Sequence, residues 1–373
     1  MDMSREEART ETGPGRTRDD SGVLDEALER LHASGPERDG WLSNHGPMAV
    51  EALVYGDRAA TVHRWLDRYR DKLEDMPPQA RPIDPAAWRE ALGDPSRLGD
   101  WPAYFARELT DRPWREVLAE WWPRLLPGLA GAATHTVIRA GHAVRTLQDT
   151  EAAGRTVTEP RVTELAHALG YWAARYARLP SAPVPDGTAT PDAALAGVPA
   201  VPAQAGGIRE RLAQLTPEST PGWPAAVSAL APARTPEEAR EALAGLVRAA
   251  VHRYAAYGHG EPLMLVHAAT APNAVLRTLP ALPRDLWVPS YAAAWAASAA
   301  VTAAYEPAAP LPPERIPAPP AGDAAQAADE LLTRAAAHGD EHTIKFVDTA
   351  LDVGDDTARV AALQSVALLD PVF

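Results

Sequence analysis

The sequence of 373 residues contains no cysteine. Disulfides, thiolate nucleophiles, Cys-ligated zinc and iron–sulfur clusters are therefore excluded, and a bound metal has to use histidine, a carboxylate or a less usual ligand. Basic residues are also scarce, with 36 Lys and Arg against 50 Asp and Glu and a net charge of −14. Because no dense basic run offsets this charge, neither nucleic acid nor an anionic membrane surface is expected as a partner.

Long apolar runs are missing as well. No window approaches the roughly 20 apolar residues that span a bilayer. Residues 1–21 are polar and mixed in charge, without the apolar segment of a signal peptide. We therefore expect a disordered N-terminal tail over residues 1–21 and a cytoplasmic protein.

Common nucleotide-binding and hydrolase motifs are not found. The sequence has no GxGxxG after a strand, no GxxxxGK[ST], no GxSxG elbow and no HExxH helix. A self-contained dinucleotide site, a P-loop, a serine hydrolase elbow and a zincin centre are therefore not expected.

Helical spacing of apolar residues recurs along the chain, whereas alternating strand patterns are hard to find. The pattern predicts an all-α protein with a compact multi-helix single-chain fold over residues 22–373. Proline-rich connectors are predicted at 180–207 and 307–320, and the first of these is also a candidate internal linker. Pro123 and Pro272 are expected to kink or break the helices that contain them.

Histidines are the main candidates for functional residues in this acidic sequence. His135 and His142 share one helical face, and the small Gly141 beside them allows a neighbouring helix to approach. His267 follows four apolar residues and is expected to be buried. A buried imidazole without a partner costs about 1–3 kcal/mol. Both a metal ion and a backbone carbonyl would supply that partner, and these segments do not decide between them.

A third histidine segment lies near the end of the sequence. Gly339 is typical of a helix end and Asp340 of a helix N-cap, so His338 and His342 are predicted to lie on different helices. Lys345 then shares the first turns of the new helix with His342, where positive charge is unfavourable. Either Lys345 is solvated and pairs with a nearby carboxylate, or it has lost its charge.

Four short segments, taken together, resemble the questin oxidase-like family. They are Asn44–Ala49, His135–Gly141, Leu265–His267 and Gly339–Lys345. Members of this family act on anthraquinones and related polyketides and open a ring oxidatively. Some resemble non-heme iron dioxygenases with a histidine-rich site and a carboxylated lysine, and others are NADPH-requiring Baeyer–Villiger-type oxidases.

The resemblance implies a set of site residues. Its imidazole ligands would be His45, His135, His267 and His342, and Lys345 would be a carbamate ligand. The implied cofactor is Fe(II), with O2 as co-substrate. This agrees with the chemistry of oxygen-activating iron among neutral imidazoles and one anionic oxygen ligand, and with the ease with which burial makes a lysine neutral.

Two further histidines depart from the family pattern. His142 and His338 are candidates only for side chains that support the ligands.

Three functions follow as hypotheses. The first is an iron-dependent oxygenase that cleaves a ring of an aromatic polyketide. The second is an NADPH-dependent Baeyer–Villiger-type monooxygenase, with a reductase partner as one source of electrons. The third is a non-catalytic helical protein that binds a small aromatic molecule, its histidines being structural.

Aromatic side chains are the candidates for stacking on such a molecule, although most aromatic residues at helical spacing are core. The candidates are Trp121, Trp122, Trp172, Tyr254, Tyr257, Trp287, Tyr291 and Trp295.

Overall fold

The computed structural model describes residues 22–372. The tail predicted over residues 1–21 lies outside the described residues. Within them the only sheet is a two-stranded hairpin of β1 (Glu37–Arg38) and β2 (Leu42–Ser43), and helices make up the rest of the regular structure. The all-α prediction is confirmed. Over the same residues, no helix combines the length and the apolar character needed to cross a membrane.

The α-helices are joined by connections of very different length, the longest of which runs from residue 71 to residue 99. Their bounds are α1 Val23–His32, α2 Gly46–Tyr55, α3 Ala59–Arg70, α4 Asp100–Asp111, α5 Trp114–Leu125, α6 His135–Ala152, α7 Glu159–Ala174, α8 Pro191–Ala196, α9 Ile208–Leu212, α10 Trp223–Ser228, α11 Pro236–Tyr257, α12 Pro262–Leu265, α13 His267–Thr278, α14 Trp287–Tyr305, α15 Ala324–His338, α16 Glu341–Val353 and α17 Asp356–Leu368. In the core, α6 packs against α2, α7 and α13, and α16 packs against α2 and α13.

Local capping signals set the start of α16. Gly339 adopts a left-handed conformation with φ 78° and ends α15. The Asp340 carboxylate then accepts hydrogen bonds from the backbone N–H groups of His342 at 3.0 Å and Thr343 at 2.8 Å. The predicted helix restart between His338 and His342 is confirmed.

The start of α2 is also set by nearby residues. His45 occupies the N-cap, and Pro47 lies in the first turn, where its missing N–H is tolerated. The Asn44 side chain stabilises the turn that precedes α2, since its oxygen accepts a hydrogen bond from the Gly46 N–H at 2.9 Å.

The predicted helix break at Pro272 is wrong, because α13 continues through it to Thr278. A proline leaves the carbonyl four residues earlier without its intrahelical donor. Here that carbonyl belongs to Ala268, and the Ser298 hydroxyl on α14 donates to it at 2.6 Å. Pro123 likewise lies inside α5, which is not broken there and ends at Leu125.

The connector at 180–207 is more ordered than its composition indicates. It contains α8, whose N-cap Thr190 accepts a hydrogen bond from the Ala193 N–H. Leu195 is buried, and the Val201 N–H donates to the Ala303 carbonyl of α14 at 2.9 Å. The segment is therefore packed against the helical core.

The contact between α6 and α13 depends on a glycine. A Cβ at Gly141 would lie 2.6 Å from the Cβ and 2.7 Å from the Cα of Ala274. The close approach predicted from the small residue is confirmed.

Gly141→Ala is expected to destabilise the protein by about 1–3 kcal/mol, because the two helices would have to separate. Gly245 on α11 is a matched control, since a Cβ there would meet only the Pro191 side chain at 3.6 Å. Gly245→Ala should stabilise by roughly 0.5–1 kcal/mol through helix propensity. Urea unfolding tests whether the free energy of unfolding falls for Gly141→Ala and rises for Gly245→Ala. Equal changes in the two variants would contradict the close contact assigned to Gly141.

Candidate metal centre

Four imidazoles from distant parts of the chain converge in the core. His45 caps α2, His135 and His267 begin α6 and α13, and His342 is the second residue of α16. Ring centroids are 4.4 Å apart for His45 and His135, His45 and His342, and His135 and His267. The nearest ring nitrogens of His45, His135 and His342 all lie within 4.8 Å of one another. The structure thus brings all four predicted imidazoles together.

A strained turn orients the His135 ring. Ala132, Ala133 and Thr134 have φ values of 46°, 54° and 68°, a left-handed conformation that costs non-glycine residues roughly 1–2 kcal/mol each. The turn places the Ala132 carbonyl 2.7 Å from His135 Nδ1. Gly131 is required before it, because a Cβ there would lie 2.2 Å from the Arg175 carbonyl oxygen. Backbone strain of this kind is typical of functional sites.

Backbone carbonyls fix the tautomers of two imidazoles. His135 Nδ1 faces the Ala132 carbonyl, and His267 Nδ1 lies 3.0 Å from the Met264 carbonyl. Because a carbonyl only accepts, each Nδ1 carries the hydrogen and each Nε2 of the neutral ring has a free lone pair. This is the usual second hydrogen bond of a metal-binding histidine.

Those two lone pairs face each other. The Nε2 atoms of His135 and His267 are 2.9 Å apart. Two acceptors cannot form a hydrogen bond, whereas about 3 Å separates neighbouring ligands of an octahedral ion with metal–nitrogen bonds of about 2.1 Å. A shared cation would turn this repulsive contact into a favourable one.

Other polar atoms of the cluster are buried without partners. Nδ1 of His45, both ring nitrogens of His342 and Nζ of Lys345 have no hydrogen-bond partner among residues 22–372. Each such group costs about 1–3 kcal/mol when left unpaired. The residues present therefore fit a metal ion bound by imidazole nitrogen.

Burial keeps three of the imidazoles neutral. It holds the pKa values of His45, His135 and His267 well below the ordinary 6.5, and the nearby Lys345 and the other imidazoles lower them further. Neutral rings retain the lone pairs that metal binding requires.

Lys345 is buried in the same region. Its side chain is 1% exposed, so the alternative of a solvated lysine is wrong. Burial lowers the pKa of Lys345 to about 8, although the carboxylates of Glu341 and Asp340 oppose the shift. A larger fraction of the amine is therefore neutral than in a lysine exposed to water.

The two remaining candidates have other partners. His142 Nδ1 lies 2.6 Å from the Glu51 carboxylate, and His338 Nε2 lies 3.0 Å from the Leu369 carbonyl. In the described part of the chain, no hydrogen bond joins either of them to the four imidazoles.

Two further residues lie at the site that the sequence analysis had not assigned to it. Glu341 places a carboxylate oxygen 3.7 Å from His45 Nδ1 and 3.5 Å from Arg38 Nη2. Its position beside His342 was the available signal. The Tyr69 hydroxyl accepts from the His45 N–H at 2.7 Å, and nothing in the sequence links these distant residues.

An ionic network joins the four helices that carry the imidazoles. Arg145 on α6 donates to Glu51 on α2 at 2.7 Å and to Asp348 on α16 at 3.0 Å. Arg277 on α13 donates to the same Asp348 at 2.7 Å. These side chains are at most 10% exposed. The ionic network therefore links α2, α6, α13 and α16 to one another.

The aromatic candidates are mainly core residues. All except the half-buried Tyr257 are at most 9% exposed. The indole N–H of Trp122 donates to the Ser290 hydroxyl, and that of Trp295 donates to the Val227 carbonyl, both at 2.8 Å. Their hydrogen bonds are those of packed structural side chains.

The fold and the site define an all-helical protein with a buried imidazole cluster suited to a metal ion. Residues 42–154 match the family model of questin oxidase-like proteins. The resemblance is thereby confirmed for the part of the chain that carries His45 and His135, less than a third of the sequence. The description of that family names oxidase-like proteins. No curated protein and no solved structure matches the chain.

Proposed function

We propose that the chain is a non-heme iron-dependent oxygenase that oxidatively cleaves a ring of an aromatic, anthraquinone-like polyketide. Fe(II) would be held by His45, His135, His267 and His342. The observation that supports this most strongly is the 2.9 Å approach of two hydrogen-free Nε2 atoms. When bound there, iron supplies the one-electron chemistry that lets O2 react with an aromatic ring.

The donor set favours a redox-active metal. Imidazole suits iron, copper, nickel and zinc, and the chain has no cysteine to bias the choice. Zinc has no redox chemistry, which does not suit the oxidoreductase indicated by the family match. The four imidazoles are only 0–7% exposed, so the protein excludes bulk water from the reacting groups.

An anionic ligand completes the proposal. Each imidazole stands at a helix N-terminus, where the helix dipole contributes partial positive charge, and a cation adds to it. We assign the balancing anion to Lys345. Its neutral amine would add CO2 to form a carbamate and release one proton, which places an oxygen anion at the end of a long side chain. Glu341 is the other nearby carboxylate, 3.7 Å from His45 Nδ1.

Elemental analysis of the full chain, purified without added metal, tests the proposal. About one metal ion per chain is expected, and Fe(II) in air should support O2 consumption with an anthraquinone. His135→Ala and His342→Ala should each lose the metal. His63→Ala removes a histidine that is 41% exposed and should retain it.

Two results would overturn the proposal. One is the absence of metal uptake by the intact protein. The other is NADPH consumption and substrate oxidation by a metal-free protein, which would favour the Baeyer–Villiger alternative.

A further inference from the structure

A second pair of histidines lines a separate cavity. The cavity has a volume of about 400 Å³ and lies between the end of α1, the loop after α3, the start of α4 and α7. His32 and His167 line it, with ring centroids 4.7 Å apart. Apolar groups supply most of the remaining wall, namely Met76, Pro77, Pro78, Pro102, Ala103 and Ala106. This volume lies within the range of sites that bind small molecules.

A buried ion pair sets the tautomer of His32. Arg139 donates to both oxygens of Glu164, at 2.6 and 2.8 Å, and His32 Nε2 lies 3.1 Å from the same carboxylate. Burial alone would raise the pKa of Glu164, but Arg139 overrides it and the pKa falls to about 2. The carboxylate therefore only accepts, so His32 Nε2 donates and Nδ1 of the neutral ring is left as an acceptor.

His167 adds a neutral polar group to the same cavity. Burial, followed by the charge of Arg139, lowers the pKa of His167 to about 3. Its ring therefore offers one donor and one acceptor nitrogen, and neither is used by a hydrogen bond within residues 22–372. Glu164 neutralises Arg139, so nothing here compensates a ligand with a permanent charge.

We infer that this cavity binds a small uncharged phenol, with its ring between the proline and alanine walls and its hydroxyl donating to His32 Nδ1. The apolar walls suit a planar ring, and the free imidazole nitrogen suits a hydroxyl donor. Glu164, on the far side of the ring, strengthens His32 as an acceptor in the same way that a carboxylate does in catalytic histidine pairs. The site contains none of the imidazoles of the candidate metal centre, so this inference does not depend on the proposed function.

Binding of two matched probes to the metal-stripped full chain tests the inference. The probes are 4-methylphenol, which stays protonated at about pH 8 because an ordinary phenol has a pKa near 10, and toluene, which lacks the hydroxyl. Calorimetry at this pH should show about tenfold tighter binding of 4-methylphenol, the usual size of one hydrogen bond. In the unmodified protein, ¹⁵N NMR should also show a shift of the His32 ring nitrogens when 4-methylphenol binds.

Three variants locate the site. His32→Phe keeps a ring in place and should remove the preference for 4-methylphenol while toluene still binds. Ala103→Phe fills the cavity and should abolish binding of both probes. Thr110→Phe, at an exposed position of the same helix outside the cavity, should leave both unchanged.

Equal affinity for the two probes in the unmodified protein would overturn the inference. So would a preference that survives His32→Phe, or binding that persists after Ala103→Phe. The NMR measurement needs no substitution, so a silent His32 signal counts against the inference even where a variant fails to fold.

Discussion

Replacing Asp348 with asparagine is expected to lower the free energy of unfolding by about 3–5 kcal/mol, the usual cost of removing one partner from a buried ion pair. Asp348 is fully buried and accepts from Arg145 at 3.0 Å and from Arg277 at 2.7 Å. The substitution leaves two guanidinium groups in the core with less negative charge to balance them. Urea unfolding followed by circular dichroism measures the loss.

Asp356→Asn is the matched control for this prediction. Asp356 pairs with Arg359 at 2.6 Å, but its side chain is 76% exposed, and such pairs contribute at most about 1 kcal/mol. Similar losses in both variants would show that burial does not give the ionic network its strength. The Asp348 variant should also release bound metal faster, because the network joins the four helices that carry the imidazoles.

The metal-stripped protein is expected to lose about 4 kcal/mol of stability between pH 7 and pH 5.5, about 1 kcal/mol for each of four histidines. These are the ones whose pKa burial holds well below the ordinary value, His45, His135, His167 and His267. The unfolded chain takes up protons as the pH falls through the ordinary value of 6.5, whereas the folded chain does not. Acid therefore favours the unfolded state.

Urea unfolding of chelator-treated protein at a series of pH values measures this loss. His167→Phe should reduce the slope by up to one proton, because burial lowers the pKa of His167 to about 3. The carboxylates of Glu51 and Glu164, with pKa values of about 2, add their own loss only at lower pH. A stability that stays flat from pH 7 to 5.5 would mean that these imidazoles are not buried as neutral rings.

Local signals account for what the sequence predicts well. The start of α16 follows from Gly339 and Asp340, because capping uses residues within one turn of the helix end. The close contact at Gly141 follows from the missing side chain alone. The continuation of α13 through Pro272 does not follow from any local signal, since its compensating donor is Ser298 on another helix.

The candidate site likewise combines features that local sequence signals predict with features that depend on distant residues. Spacing alone marked His135 and His267 as candidates for burial, and the resemblance was needed to join them to His45 and His342. Neither spacing nor resemblance pointed to the pairing of Arg145 with Glu51 and Asp348. These partners lie 94 and 203 residues from Arg145 along the chain. Such contacts are set by tertiary packing, which no local pattern encodes.

The placement of the imidazoles also constrains how the protein is made. They stand at positions 45, 135, 267 and 342, so the ribosome must deliver the chain as far as α16 before the fourth can meet the first. Contacts between residues so distant in sequence form late in folding, because long loops must close first. A nascent chain or an amino-terminal fragment that stops short of α16 would hold an incomplete set of the four imidazoles. Assembly of the proposed centre therefore waits until α16 has been synthesised and has docked against α2, α6 and α13.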